Sequence, residues 1–416
     1  MSPPEPPNPG RVEPTIVVIA AGVCAALHVG KLPPAIATLG DTLGLTLLQA
    51  GFLLSLVQGA GMTLGLAFGA VADGLGLRRS MITGLGVLGL ASGLGGTATG
   101  VQALMLLRVL EGFGFLLVVL PAPGLVRQLA APGRVSLLLG VWGAYMPLAT
   151  ALALLAGPLF IGLLGWRGWW WGLGGLSLAM AAVLSRAVPA AATLRPAPPA
   201  PRAPGGAATT AVFAGSWPNR LRLTLAAPGP WLVAVTFAMY SGQWLAVIGF
   251  LPAIYAQAGI GGGATAVLTA LAAAANIAGN VGSGRLLQRG VPAPRLLVAG
   301  FATMAVAAAA AFAGGAGGGL PGWLKYGAVL CFSGVGGLIP ATLFALALRL
   351  APGPATLSTT VGWVQQWSAL GQFAGPPAVA WVASQAGGWQ WTGLLTGACS
   401  ALGLLLSGAI ASRLRP

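Results

Sequence analysis

The sequence predicts an all-α polytopic membrane protein of twelve transmembrane helices, and three observations carry that reading. Charge is the first: only 6% of the 416 residues are Asp, Glu, Lys or Arg, against 56% apolar, whereas a soluble domain charges about a quarter of its residues. Length is the second, because apolar runs recur along the whole chain and most reach the roughly twenty residues that cross hydrocarbon. The third is where the cations fall. With the N-terminus inside, Lys31 and Arg108 lie within spans and only Arg167 and Lys325 lie outside. Every other basic residue then faces the cytoplasm, an asymmetry that one misplaced span would scramble.

The spans run in order at 15–38, 46–70, 81–99, 101–124, 136–160, 168–187, 231–256, 263–285, 294–313, 323–348, 356–383 and 389–411. The 67 glycines and 32 prolines fit close helix contacts and kinks, which a bilayer protein tolerates where neighbours satisfy the freed backbone groups. One long break, 188–229, is rich in proline and alanine and then carries Arg220 and Arg222. It reads as a cytoplasmic linker with a short amphipathic surface helix near 213–225. The organisation is therefore a six-helix bundle over 1–187, a linker over 188–229 and a second six-helix bundle over 230–416.

Several classes are excluded. The formal net charge of +15 invites a nucleic-acid reading, but the cations are scattered membrane anchors with no aromatic-interleaved patch. There is one histidine, His28, and the chain has no carboxylate cluster, no Walker lysine and no metal-binding or dinucleotide motif, so neither an enzyme nor an ATP-driven pump is expected. No cofactor or metal is implied. Cys24, Cys331 and Cys399 lie singly in apolar runs, against disulfide or metal roles. The start, MSPPEPPNPGRVEP, lacks a basic segment feeding an apolar one and reads as a cytoplasmic tail. Trp166, Trp169, Trp170, Trp171, Trp323, Trp389 and Trp391 stand at span starts as interface anchors.

The two halves echo each other. Gly69-Ala-Val-Ala-Asp73-Gly-Leu-Gly76-Leu-Arg78-Arg79 follows the second span, and Gly284-Arg285-Leu-Leu-Gln288-Arg289-Gly290 follows the eighth. Gly165-Trp166-Arg167-Gly-Trp169 opens the sixth span, and Gly388-Trp389-Gln390-Trp391 opens the twelfth. Repeated halves of six match alternating-access transporters, whose sites lie at the interface between halves.

Over essentially its whole length the chain resembles the major facilitator superfamily. The signature between helices 2 and 3, G-x-x-x-D-x-x-G-x-[RK]-[RK], stands complete as Gly69, Asp73, Gly76, Arg78 and Arg79. The helix 4 signature R-x-x-x-G-x-G is Arg108, Gly112 and Gly114, with Glu111 where many members carry glutamine. Within the superfamily the chain is similar to the cyanate and nitroimidazole permease-like branch, through Lys31-Leu-Pro33-Pro34-Ala-Ile36 and through Tyr240-Ser-Gly-Gln243-Trp244 before Leu251-Pro252. His28 and Lys31 stand where that branch carries asparagine and arginine. The G-x-x-x-G-P pattern of drug/proton antiporters is displaced in helix 5 and intact in helix 11, as Gly371, Gly375 and Pro376.

The resemblance implies a secondary transporter of the cytoplasmic (inner) membrane of a bacterium, with both termini cytoplasmic, acting as a monomer. Asp73, with Gly69, Gly76, Arg78, Arg79 and Arg134 as a partner in cis, is the expected gating latch between helices 2 and 11. Arg108 and Glu111, three apart in an apolar run, form either a structural pair or a proton-coupling site, since intramembrane charges pair or line cavities. His28 joins the coupling candidates as the one side chain of a type that titrates near neutrality. The expected substrate site gathers His28, Lys31, Gln58, Tyr145, Tyr240, Gln243, Trp244, Asn276, Trp363 and Gln366. Lys31, read as an uncompensated cation in a span, points to a small organic or inorganic anion, moved with protons or without them. The alternatives are a proton-driven exporter of drugs or metabolites, and a non-transporting membrane sensor of the same fold.

Overall fold

The computed structural model describes residues 13–66, 76–189, 217–314 and 319–414. The described residues are helical rods and short turns. Nine of the rods are long and apolar enough to cross a membrane. In chain order the elements are α1 (Pro14–Leu43), α2 (Leu47–Leu66), α3 (Leu77–Gly95), α4 (Val101–Leu129), α5 (Val135–Gly143) and α6 (Tyr145–Ala187). After the linker come α7 (Trp217–Ala226), α8 (Pro228–Gln257), α9 (Gly262–Gln288) and α10 (Ala293–Phe312). The last three are α11 (Gly322–Arg349), α12 (Leu357–Ala386) and α13 (Trp389–Arg413). Ten of the sequence-derived spans match these bounds within about five residues, the fifth and sixth lie within Val135–Ala187, and α7 overlaps the stretch expected to form a surface helix.

Local chemistry explains the interruptions. Pro33 and Pro34 turn α1 into a 3-10 step over Pro33–Ala35, because proline withholds a donor and clashes with the preceding turn. Gly165, φ 70°, breaks the helical backbone between Tyr145 and Ala187 and divides α6 into two helices, at the boundary expected between the fifth and sixth spans; the positive φ favours glycine. The echo between halves is visible in backbone geometry: Gly76 and Gly290, ahead of α3 and α10, both have φ 83°, while Gly165 and Gly387, ahead of the paired tryptophan runs, have φ 70° and 67°.

The rods are sorted by side chain. Leu90, Leu106, Leu163, Val306 and Leu405 point outward, while the inner faces are dense in Ala and Gly. Outward leucine and inward small residues are the arrangement expected where lipid surrounds the protein and backbones approach closely. The intact Gly371-x-x-x-Gly375-Pro376 pattern serves this packing. A Cβ at Gly371 would fall 2.3 Å from the Ala238 carbonyl oxygen, and one at Gly375 would fall 2.2 Å from that of Gly242. The pattern presses α12 against α8.

Helices α1 to α6 pack as a first group, and α8 to α13 as a second. The groups meet along α2 against α12, along α6 against α9, and where the Pro33–Ala35 turn touches α8. The end of the molecule where α6 stops and α7 begins is called the linker end below; there α7 lies on the turn Pro354–Thr356 and the start of α12.

Candidate functional site

The residues expected to form one site fall into three separate constellations. The first is an ionic network inside the first group, where α1, α3, α4 and α6 converge. The proline turn ends the first segment of α1 just past Lys31, so this side chain stays in the interior, 0% exposed. Its ammonium donates to the Glu111 carboxylate and to the Ser92 hydroxyl at 2.9 Å, and faces His28 Nδ1 at 3.4 Å. Those three acceptors match its three protons. The same ammonium lies 4.6 Å from the centre of the Trp170 ring, a favourable cation–π distance.

Glu111 is held from both sides. Its second oxygen accepts from Arg108 Nη1 at 2.6 Å, the i, i+3 pair expected on α4. Arg108 also donates to the His28 carbonyl at 2.6 Å and to the Leu53 carbonyl at 3.0 Å, which ties α4 to α1 and α2. His28 Nε2 meets the Ser177 hydroxyl at 2.8 Å. With Lys31 donating to Nδ1, the imidazole proton belongs on Nε2. Lys31 is therefore not an uncompensated cation: its carboxylate comes from 80 positions downstream, a separation that a single sequence does not reveal. Trp169 and Trp170 are interior rather than anchors, and the Trp169 indole donates to the Lys31 carbonyl at 3.0 Å.

The second constellation lies within the second group. Asn276 donates to the Tyr240 hydroxyl at 2.8 Å and to the Ser333 carbonyl at 2.9 Å, and accepts from Asn280 at 2.8 Å. Trp244 donates to the Ser333 hydroxyl at 3.1 Å, and Gln243 accepts from Ser400 at 3.0 Å. Tyr240, Gln243 and Trp244 thus satisfy one another's neighbours on α9, α11 and α13. The expected cap of these three over Lys31 does not form, because each group closes its own polar core.

The third constellation is the seam between groups. Gln58 on α2 donates to Gln372 on α12 at 3.0 Å. Gln366 on α12 donates to the Met62 carbonyl at 2.9 Å and accepts from the Leu66 amide at 3.3 Å. Tyr145 stacks on Trp142 with ring centres 4.5 Å apart. Trp363 and Trp367 pack edge-on against Trp231 at 4.8 and 5.5 Å. Of the ten expected substrate residues, Gln58 and Gln366 bridge the seam itself.

The gating set is only partly described, since Gly69 and Asp73 lie outside the described residues. Arg78 donates to the Val188 and Ser185 carbonyls at 2.8 and 2.5 Å, which pins the start of α3 to the end of α6. Arg79 is exposed. Arg134 pairs with Glu13 at 3.2 Å on the surface, and its expected partner Asp73 is among the residues outside the description. Sequence reasoning missed Ser92, Ser177, Trp142, Ser333, Ser400 and Gln372. Gln372 was the most accessible of these, six residues beyond Gln366 within one apolar span.

The family model described as Major Facilitator Superfamily matches residues 18–376. Two crystal structures of a bacterial homologue of the human lysosomal transporter Spinster superpose on the chain. The inward-facing, occupied form gives a TM-score of 0.74 at 15% identity, covering 96% of each chain. The inward-facing, unoccupied form gives 0.69 at 15% identity, covering 96% of this chain and 93% of that one. At that identity the likeness is one of fold. No curated protein matches the sequence.

Proposed function

We propose that this chain, which belongs to the major facilitator superfamily, is a secondary transporter that moves a small solute between two six-helix bundles by alternating access. The observation that carries the reading is the contrast between the seam and the cores. Among the described residues every ion pair lies inside the first group, while α2 and α12 are joined by neutral amide hydrogen bonds. A neutral hydrogen bond contributes only about 1 kcal/mol net, so such a seam opens and re-forms readily. Breaking a buried ion pair costs about 3–5 kcal/mol, so each bundle keeps its own shape as it moves.

The nine long apolar rods, the division of α6 at Gly165, and the additional rods α3 and α12 are read as twelve spans. The bundles are 1–187 and 230–416, joined by 188–229, with both termini on the cytoplasmic side of a bacterial inner membrane. The solute sits at the seam, where Gln58 and Gln372 offer hydrogen-bonding groups, as small-molecule sites require. An organic or inorganic anion remains the preferred class, supported by the resemblance to the cyanate and nitroimidazole permease-like branch. His28 and Glu111 are the groups available for coupling to protons, and Asp73 is the proposed charged latch.

The test is a thermal-shift screen of the purified protein against small carboxylates, cyanate, nitrate and cationic drugs. Proteoliposome uptake of any stabilising solute follows, with and without a pH gradient. Stabilisation by an anion that is also taken up supports the reading. Stabilisation by cationic drugs alone moves it to export, and binding without uptake moves it to a sensor.

A further inference from the structure

We propose that Gln366 is the clamp that holds the two groups together at the linker end, docking its side-chain amide across the last described turn of α2 and releasing it whenever that end opens. The proposal rests on the alternating-access reading above and adds a residue that sets which end is open.

The geometry is specific. Met62 and Leu66 are four apart in α2, so the Met62 carbonyl and the Leu66 amide are the partners of one helical backbone bond. The Gln366 amide engages both, donating to Met62 O at 2.9 Å and accepting from Leu66 N at 3.3 Å. A carboxamide is the side chain that offers a donor and an acceptor with the spacing of a peptide group. Gly65 leaves room for the approach, since a Cβ there would meet the Gln366 Cβ at 3.3 Å.

Two comparisons separate Gln366 from the rest of the seam. Gln58 and Gln372 bond side chain to side chain, so either can turn to a solute. Gln366 bonds to backbone, which cannot turn away, so α12 docks in one register only. It also has support: Trp363 and Trp367, flanking it on α12, both pack on Trp231 of α8. Both ends of the amide are thus committed to α2, which makes Gln366 a positioning residue and removes it from the expected solute ligands.

The experiment uses the full chain with Cys24, Cys331 and Cys399 replaced, reconstituted in liposomes, and reads electron–electron spin distances. One label pair, at Arg127 and Ser358, spans the linker end between α4 and α12; another, at Asp41 in α1 and at Ala258 just past the end of α8, spans the opposite end. Gln366→Leu removes both bonds and should raise the open-to-closed ratio at the linker end roughly tenfold, the expected effect of losing two modest hydrogen bonds. The opposite-end pair should shorten in step. Gln366→Glu should open the same end, because a carboxylate has no proton to give the Met62 carbonyl. Unchanged linker-end distances in both folded variants would overturn the clamp, and so would both ends loosening together. No solute enters this measurement, so a failure of the transport reading, seen as no flux of any stabilising solute, is a separate result.

Discussion

Glu111 anchors the interior of the first group, because two cations, Lys31 and Arg108, converge on its carboxylate away from solvent. The arrangement is asymmetric to mutation. Glu111→Gln leaves two buried cations facing each other without a counter-ion, and should lower unfolding free energy by about 3–5 kcal/mol. Lys31→Met leaves Glu111 and Arg108 balanced and fills the space with an unbranched apolar chain, so its effect should be less than half as large. Denaturant titration of the two variants checks this order. Equal losses would contradict the asymmetry and mean that Lys31 and Glu111 hold the network alike. The i, i+3 relation of Arg108 and Glu111 was legible in the sequence because helical spacing is local. The contact from Lys31 to Glu111 was not, because it depends on how α1 and α4 cross. That missing contact is what made Lys31 look like a bare anion site.

At the scale of elements, α12 bears two close contacts at once, to α8 through glycines and to α2 through glutamines. Gly371→Leu places a side chain where the Ala238 carbonyl oxygen already stands, 2.3 Å from the Cβ position. Overpacking of this kind costs about 1–3 kcal/mol or more, so the variant should give little monodisperse protein on size exclusion and a lower Tm. Gly397→Ala is the control, since its Cβ meets nothing within 4 Å and should leave both readings unchanged. The rods themselves were readable from apolar run length, and α12 was found despite its Gln366 and Gln372 because Gly and Pro punctuate it without ending it. The division of α6 was legible too, because Gly165 opens the sixth span in the sequence and its non-helical backbone ends one helix and starts the next.

The whole molecule obeys one rule that the sequence displays openly: charge is kept out of the spans or paired within them. The topology proposed from the distribution of arginines puts the linker and both termini on the cytoplasmic side. Fusions of green fluorescent protein after Arg413 should therefore fluoresce in bacteria, and alkaline phosphatase fused there should stay inactive. The reverse pattern would invert the topology. Twofold internal likeness was also legible, and it reappears as glycines with matching left-handed φ ahead of corresponding helices, Gly76 with Gly290 and Gly165 with Gly387. The substrate site was the least legible part. Polar residues such as Tyr240, Asn276 and Gln243 look alike in sequence whether they line a cavity or close a core, and here they bond to one another inside the second group.

The central claim is that the seam between α2 and α12 must separate for a solute to cross. Its most direct test combines Gly61→Cys with Ala369→Cys, since a Cβ at Gly61 would fall 3.0 Å from that of Ala369 across the seam, in a background without Cys24, Cys331 and Cys399, and measures proteoliposome uptake of the stabilising solute before and after oxidation. The account predicts that closing a disulfide between these two positions stops uptake and that a reductant restores it. Uptake that continues unchanged through a fully cross-linked seam would contradict it.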